Sequence, residues 1–154
     1  MRQSRRERPD YGTPELQAKR LRLVVNSQTG QAGDPAMAES EIGRLHEQGL
    51  LDQDPTKSRR MYDAGLTLLA LWRAVFPVKG SSTLGRLMPA AGGEYDTERA
   101  SDDLRSLRKF FGPMNGSAFN AALECVAYDT PQVGTRLALV RDGLTLIVKW
   151  QKQR

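Results

Sequence analysis

The sequence is poor in the residues that announce chemistry. It holds one cysteine, Cys125, and one histidine, His46. A single thiol excludes an internal disulfide and suits a reducing compartment, so the cytoplasm is the expected location. One histidine with one distant cysteine makes a poor zinc set, and neither a metal nor a cofactor is expected. No apolar run approaches the roughly 20 residues that span a bilayer, so no membrane partner is expected. The most apolar stretch is broken by Arg73 and ended by Pro77. The opening residues, MRQSRRERPDYG, carry charge without an apolar h-region, and no secretory signal is expected there. The glycine-rich piece GSSTLGR (80–86) lacks P-loop spacing and the Gly-Lys-Ser/Thr ending. Ser81, Ser82 and Ser117 have no visible histidine and acid framework. His46 stands beside Glu47 on a charged stretch and is expected at the surface. Cys125, near Leu123 and Val126, is expected to be a buried, inert thiol. Glu98, Asp102 and Asp103 fall in the first turns of a predicted helix, where acids complement the dipole. An enzyme is therefore not expected, nor a small-molecule substrate.

What the sequence does contain is a helical protein with basic ends. Its 154 residues suffice for one domain with a core, and 39% hydrophobic with 27% charged content fits a globular chain. Residues 1–22 hold seven Lys/Arg against three Asp/Glu, and residues 136–154 hold five against one. The stretch 23–135 holds eleven against fourteen, so a slightly acidic centre lies between two basic ends of a chain of net charge +5. Such asymmetry points to a polyanionic partner, or simply to solvated termini.

The chain is organised around residues 59–76, RRMYDAGLTLLALWRAVF. Leu66, Leu69, Trp72, Val75 and Phe76 recur at helical spacing, and Leu68 and Leu71 widen the stripe. A helix apolar over most of its circumference wants to be surrounded. Asp54 and Pro55 supply a cap and a first-turn proline, so the pattern predicts a hub helix over 55–76. Residues 1–12 lack periodicity and are expected to be a disordered basic arm. A helical domain is expected over 13–152, with flexible segments at 26–33 and 77–95. Thr13-Pro14-Glu15 starts a helix running to about residue 25. Asp34-Pro35 starts another over 34–48, closed by Gly49 in the left-handed conformation with Leu50 folding back on Leu45. A short helix is expected over 83–88, then an irregular loop over 89–95. Asp96 or Thr97 caps a helix with Leu104, Leu107, Phe110 and Phe111 on its apolar edge. Asn115 or Ser117 starts the next, with Phe119, Ala122, Leu123 and Val126 inward. Thr130-Pro131 is expected to start the last helix, to residue 152, with a stripe of Val133, Leu137, Val140, Leu144, Ile147 and Val148. Gly143 inside it costs about 1 kcal/mol of propensity against alanine, which close approach of another helix would explain. Residues 144–150 (LTLIVKW) are rich in β-formers but continue the helical stripe. The predicted fold is an all-α single-domain bundle of about five or six helices.

Three groups of residues resemble a known kind of protein. They are Tyr11-Gly12-Thr13-Pro14-Glu15-Leu16 with Lys19-Arg20; Gly43, Leu45 and Gly49-Leu50-Leu51 with Tyr62 and Ala64-Gly65; and Leu139, Gly143-Leu144, Leu146 and Trp150. Together they resemble small helical proteins of proteobacterial prophages. The closing portion is also similar to a helical domain of alphaproteobacterial regulatory proteins. The resemblance implies a bacterial, phage-related, cytoplasmic protein with a regulatory role, and carries no catalytic residue.

The expected function is a non-enzymatic, nucleic-acid-binding regulator. DNA contact is expected from the arm residues Arg2, Arg5, Arg6 and Arg8, and from Lys19, Arg20 and Arg22 of the first helix. Lys57, Arg59 and Arg60 at the start of the hub helix, and Arg136 and Arg141 on the last helix, complete the set. The pairs 34–48 with 55–76, and 117–128 with 131–152, could each begin a helix-turn-helix, or be ordinary bundle hairpins. The alternative is a protein–protein interaction module, an adaptor to host transcription machinery or a phage packaging or assembly component. Apolar excess near Trp72 and Trp150 motivates it.

Overall fold

A computed structural model describes residues 13–15, 24–27, 29–77 and 96–154. The basic arm, most of the first predicted helix, and the connector, short helix and loop predicted within 78–95 lie outside the described residues. Among the described residues the fold is all-α. The helices are α1 (Glu41–Glu47), α2 (Pro55–Val75), α3 (Thr97–Phe111), α4 (Gly116–Ala127) and α5 (Thr135–Lys152), with 3-10 turns at Pro35–Glu39 and Pro113–Asn115.

The hub helix forms where its cap and proline place it. The Asp54 side chain accepts the Thr56 N–H at 3.0 Å, and Pro55 occupies the first turn, where no N–H is needed. α2 touches each of the other four helices. Its buried face is rotated from the predicted stripe, running through Met61, Ala64, Gly65, Leu68, Leu69 and Leu71. Leu66, Trp72 and Val75 are half-buried, and Phe76 is 50% exposed. Gly65 lies where neighbours crowd: a Cβ there would stand 2.0 Å from Ile42 Cδ1 and 3.1 Å from Val126 Cγ1.

The predicted helix over 34–48 divides at Ser40. Asp34 caps the 3-10 turn through the Ala36 N–H at 2.9 Å. Ser40 is then extended, and its hydroxyl accepts the Gly43 N–H at 3.1 Å to start α1. The 3-10 turn folds so closely over α1 that a Cβ on Gly43 would lie 2.2 Å from the Met37 carbonyl oxygen. The close of α1 is the one predicted. Gly49 has φ 72°, Leu50 N–H donates to Leu45 O at 2.9 Å and Gly49 N–H to His46 O at 3.1 Å. This paired arrangement satisfies the orphan carbonyls of a helix end.

Pro14 and Glu15 are helical, but Val24 and Val25 are not. Val25 bridges Ala32 across a turn closed by Asn26 N–H to Gln31 O and Gly33 N–H to Val24 O, both 2.9 Å. Ser27 N–H and hydroxyl both reach Gln48 O at 3.2 Å, and Val24 is fully buried. The polar stretch 26–33 thus seats against the end of α1.

The C-terminal half buries its edges only partly as expected, Phe110, Leu137 and Val148 being half-buried, and the buried residues form a wider set. They are Ala100, Leu104, Leu107 and Phe111 on α3; Ala118, Phe119, Ala121, Ala122, Leu123, Cys125 and Val126 on α4; Val140, Gly143, Leu144, Ile147 and Trp150 on α5. Asp96 caps α3 through the Glu98 N–H at 3.2 Å. A Cβ on Gly143 would lie 2.5 Å from the Ala118 carbonyl oxygen, so α4 and α5 cross at backbone contact. The predicted start of α5 at Thr130-Pro131 is not realised. The helix begins at Thr135, after Gly134 with φ 60°, and Val133 is 73% exposed. The reason is Gln132, 1% exposed: its N–H donates to Glu41 Oε1 at 3.1 Å and its amide Nε2 to Thr130 O at 2.7 Å. Delivering Gln132 to α1 requires extended chain where a helix would otherwise begin.

Candidate nucleic-acid interface

The basic residues singled out by sequence fall in three places. Arg2, Arg5, Arg6, Arg8, Lys19, Arg20 and Arg22 lie outside the described residues. Lys57, Arg59 and Arg60 are exposed on the first turns of α2, where Arg59 pairs with Asp63 at 3.3 Å and sits 5.4 Å over the Tyr62 ring. Arg136 and Arg141 are exposed on α5 but act as staples. Arg136 pairs with Glu124 of α4, and Arg141 Nε donates to Leu50 O at 2.6 Å, tying α5 to the α1–α2 connection. Neither expected helix pair has the three- or four-residue turn of a helix-turn-helix, since residues 48–54 and 128–134 separate the partners. Ser58 and Met61 in the first turns of α2 are also buried, as suits a core helix.

Further cations lie on α3, on α5 and just past α5. Residues 97–111 with 135–154 hold nine Lys/Arg against four Asp/Glu, whereas residues 24–77 hold five against seven. Arg105, Arg108 and Lys109 are exposed on the last turns of α3, and Lys149, Lys152 and Arg154 at the end of α5. The two ends run in opposite directions past each other: Trp150 Nε1–H donates to Ser106 Oγ at 3.2 Å, and Arg154 pairs with Asp103 at 2.7 Å. Arg154 also covers the Trp150 ring at 4.6 Å. An open cleft of about 300 Å³ lies between them, lined by Ser106, Lys109, Phe110, Trp150, Gln153 and Arg154. Arg108 lies 5.1 Å over the Phe119 ring, toward α4, and Arg105 pairs with Asp102 at 3.2 Å in full solvent exposure. Cations in a helix's last turn complement its dipole, which accounts for their presence on each helix but not for Lys109 and Arg154 lining one cleft. The sequence signal that finds them is the basic close of both segments; their juxtaposition comes from the packing of α3 against α5.

Several other titratable groups are tied into packing. His46 is half-buried rather than at the surface, its Nδ1 2.6 Å from Ser58 Oγ and its ring stacked on Tyr62 at 5.3 Å between centroids. Burial pushes the His46 imidazole below its ordinary range and the Tyr62 phenol above its own. Ser58 is 2% exposed, so the pair pins α1 to α2. Glu41, buried, holds Arg44 by a two-point pair and also accepts the Gln132 N–H. The Cys125 thiol is buried as predicted, and burial pushes its pKa up to about 12. Among the described residues no group of three His, Cys, Asp or Glu could hold a metal ion, and no helix is long and apolar enough to cross a membrane.

Comparison with protein-family models, with curated proteins and with solved structures finds no match.

Proposed function

We propose that this chain is a phage-related, non-enzymatic regulatory protein that binds nucleic acid through the α3–α5 face together with its basic N-terminal residues. The observation that supports this is the segregation of charge: nine cations against four acids in α3, α5 and the residues closing the chain, beside an acidic first half of the described fold. An excess of cations on these segments attracts a polyanion, which releases its counterions on contact. The phage setting and the cytoplasmic location rest on the sequence resemblance and the single cysteine alone.

The test is a titration of labelled random-sequence duplex DNA at two salt concentrations. Binding is expected to weaken with salt, by about 0.9 in logarithmic slope for each phosphate contacted. Replacing Arg105, Lys149 and Lys152 by alanine together is expected to lower that slope by about two to three. Replacing Arg5, Arg6 and Arg8 is expected to weaken binding at every sequence alike. Absence of binding at low salt, or a slope unmoved by either set, overturns the proposal.

One observation favours a protein partner instead. Tyr128 and Val133 are 63% and 73% exposed within the single α4–α5 connection. On that reading, changing both to serine abolishes capture of a bacterial protein from lysate and leaves the DNA titration unchanged.

A further inference from the structure

We infer that the α3–α5 cleft takes an unpaired base, making single-stranded nucleic acid the ligand of this face. The inference rests on the nucleic-acid reading above and adds the form of the ligand. A uniformly basic surface would bind any polyanion; this cleft also carries the half-buried Phe110 in its lining. Phe110 is half-buried at the core edge yet lines the cleft, whereas the Trp150 ring, which also lines it, is 4% exposed and lies beneath the Arg154 guanidinium. A duplex hides its base faces in the stack, so only an unpaired nucleotide can lay a ring against Phe110. The cleft, about 300 Å³, is at the lower end of the size of small-ligand sites and suits one nucleotide.

The polar lining matches the rest of a nucleotide. Ser106 Oγ accepts the Trp150 indole N–H, which leaves its own proton to donate outward. The exposed Gln153 amide offers both a donor and an acceptor, as a base edge requires. Lys109 stands on the rim as a point charge for phosphate, with Arg105 one turn earlier on the same side of α3. The acids nearby are Asp103, paired with Arg154, and Asp102, paired with Arg105. A phosphate therefore shares these guanidinium groups with carboxylates already present, and Lys109 has no ion pair among the described residues.

The experiment measures full-length protein against labelled oligo(dT) and a random-sequence duplex of equal length, by anisotropy at one moderate salt concentration. Oligo(dT) is expected to bind about tenfold more tightly than the duplex. Phe110→Leu keeps an apolar side chain against the core and is expected to weaken oligo(dT) about fivefold while leaving the duplex unchanged. Gln153→Ala, at an exposed position, is expected to act in the same direction if the Phe110 variant folds poorly by circular dichroism. Equal binding of the two ligands, with neither variant separating them, overturns the inference and leaves the polyanion reading standing. Binding of neither ligand overturns both.

Discussion

Replacing Gly143 by alanine pits helix propensity directly against packing. In a free helix the change gains about 1 kcal/mol, because glycine loses the most backbone freedom on folding. Here the new methyl would lie 2.5 Å from the Ala118 carbonyl oxygen and 3.0 Å from Ala122 Cβ. Neither neighbour is the far end of a flexible side chain, so α4 and α5 must move apart, opening the contacts around Val140, Leu144 and Ile147. Overpacking of this kind costs about 1–3 kcal/mol, and the backbone nature of the clash puts Gly143 toward the upper end. The net expectation is a destabilisation of about 1–2 kcal/mol, read as a lower urea midpoint with an unchanged slope. Gly116→Ala is the control. It too is helical, but nothing lies within 4 Å of its added Cβ, so it is expected to be neutral or stabilising by up to about 1 kcal/mol. A Gly143→Ala variant as stable as the control would refute the backbone contact between the two helices.

Two further outcomes follow from buried groups. Burial holds the folded His46 pKa below its ordinary value of 6.5. The unfolded chain then binds the extra proton first, so this contribution is complete above about pH 6.5 and is lost as pH falls through the folded pKa. Glu47, Arg59 and Asp63 lie near the ring, so the comparison is with His46→Gln: urea midpoints at pH 7.5 and 5.5 are expected to differ less in the variant. An equal acid loss in both proteins places the linkage elsewhere. Cys125, fully buried with its thiol pushed up to about 12, is expected to resist a thiol-specific reagent in the native protein and to react at once in urea. Rapid reaction without denaturant would show that α4 opens readily.

The parts of the fold that were legible are those decided within a few residues. Asp54-Pro55, Asp96 and the Gly49-Leu50 closure act through their own backbone neighbours, and each stands where the sequence placed it. Thr130-Pro131 carries the same local signal and fails, because burying Gln132 on Glu41 outweighs a helix start, and that partner is 91 positions away. The continuous helix over 34–48 fails for a related reason: Ser40 serves as the cap of α1, and the turn before it folds back over Gly43. His46 looked solvated because its sequence neighbours are charged, whereas Ser58 and Tyr62 arrive from the next helix. The candidate interface divides in the same way. That the chain closes on basic residues is written in the sequence; that Lys109 of α3 and Arg154 beyond α5 line one cleft depends on the packing of the two helices. Arg136 and Arg141 were visible as cations, but their use as staples to Glu124 and Leu50 is a tertiary fact.

The short helix α1 is gripped at both ends by the C-terminal third of the chain. Glu41 at its start takes the Gln132 N–H, and Leu50 just past its end takes the Arg141 guanidinium, each contact 91 residues apart in sequence. The polar turn at 26–33 is fastened to the same helix through Ser27 and Gln48. In mechanical terms these contacts form a clamp in parallel with the covalent chain. Tension applied ahead of α1 is shared by these clasps, which lead to Gln132 before α5 and to Arg141 within it. One of the two clasps, Glu41 with Gln132, is buried, and Ile42 and Leu45 of the same helix sit in the apolar core, so releasing α1 means opening the core as well.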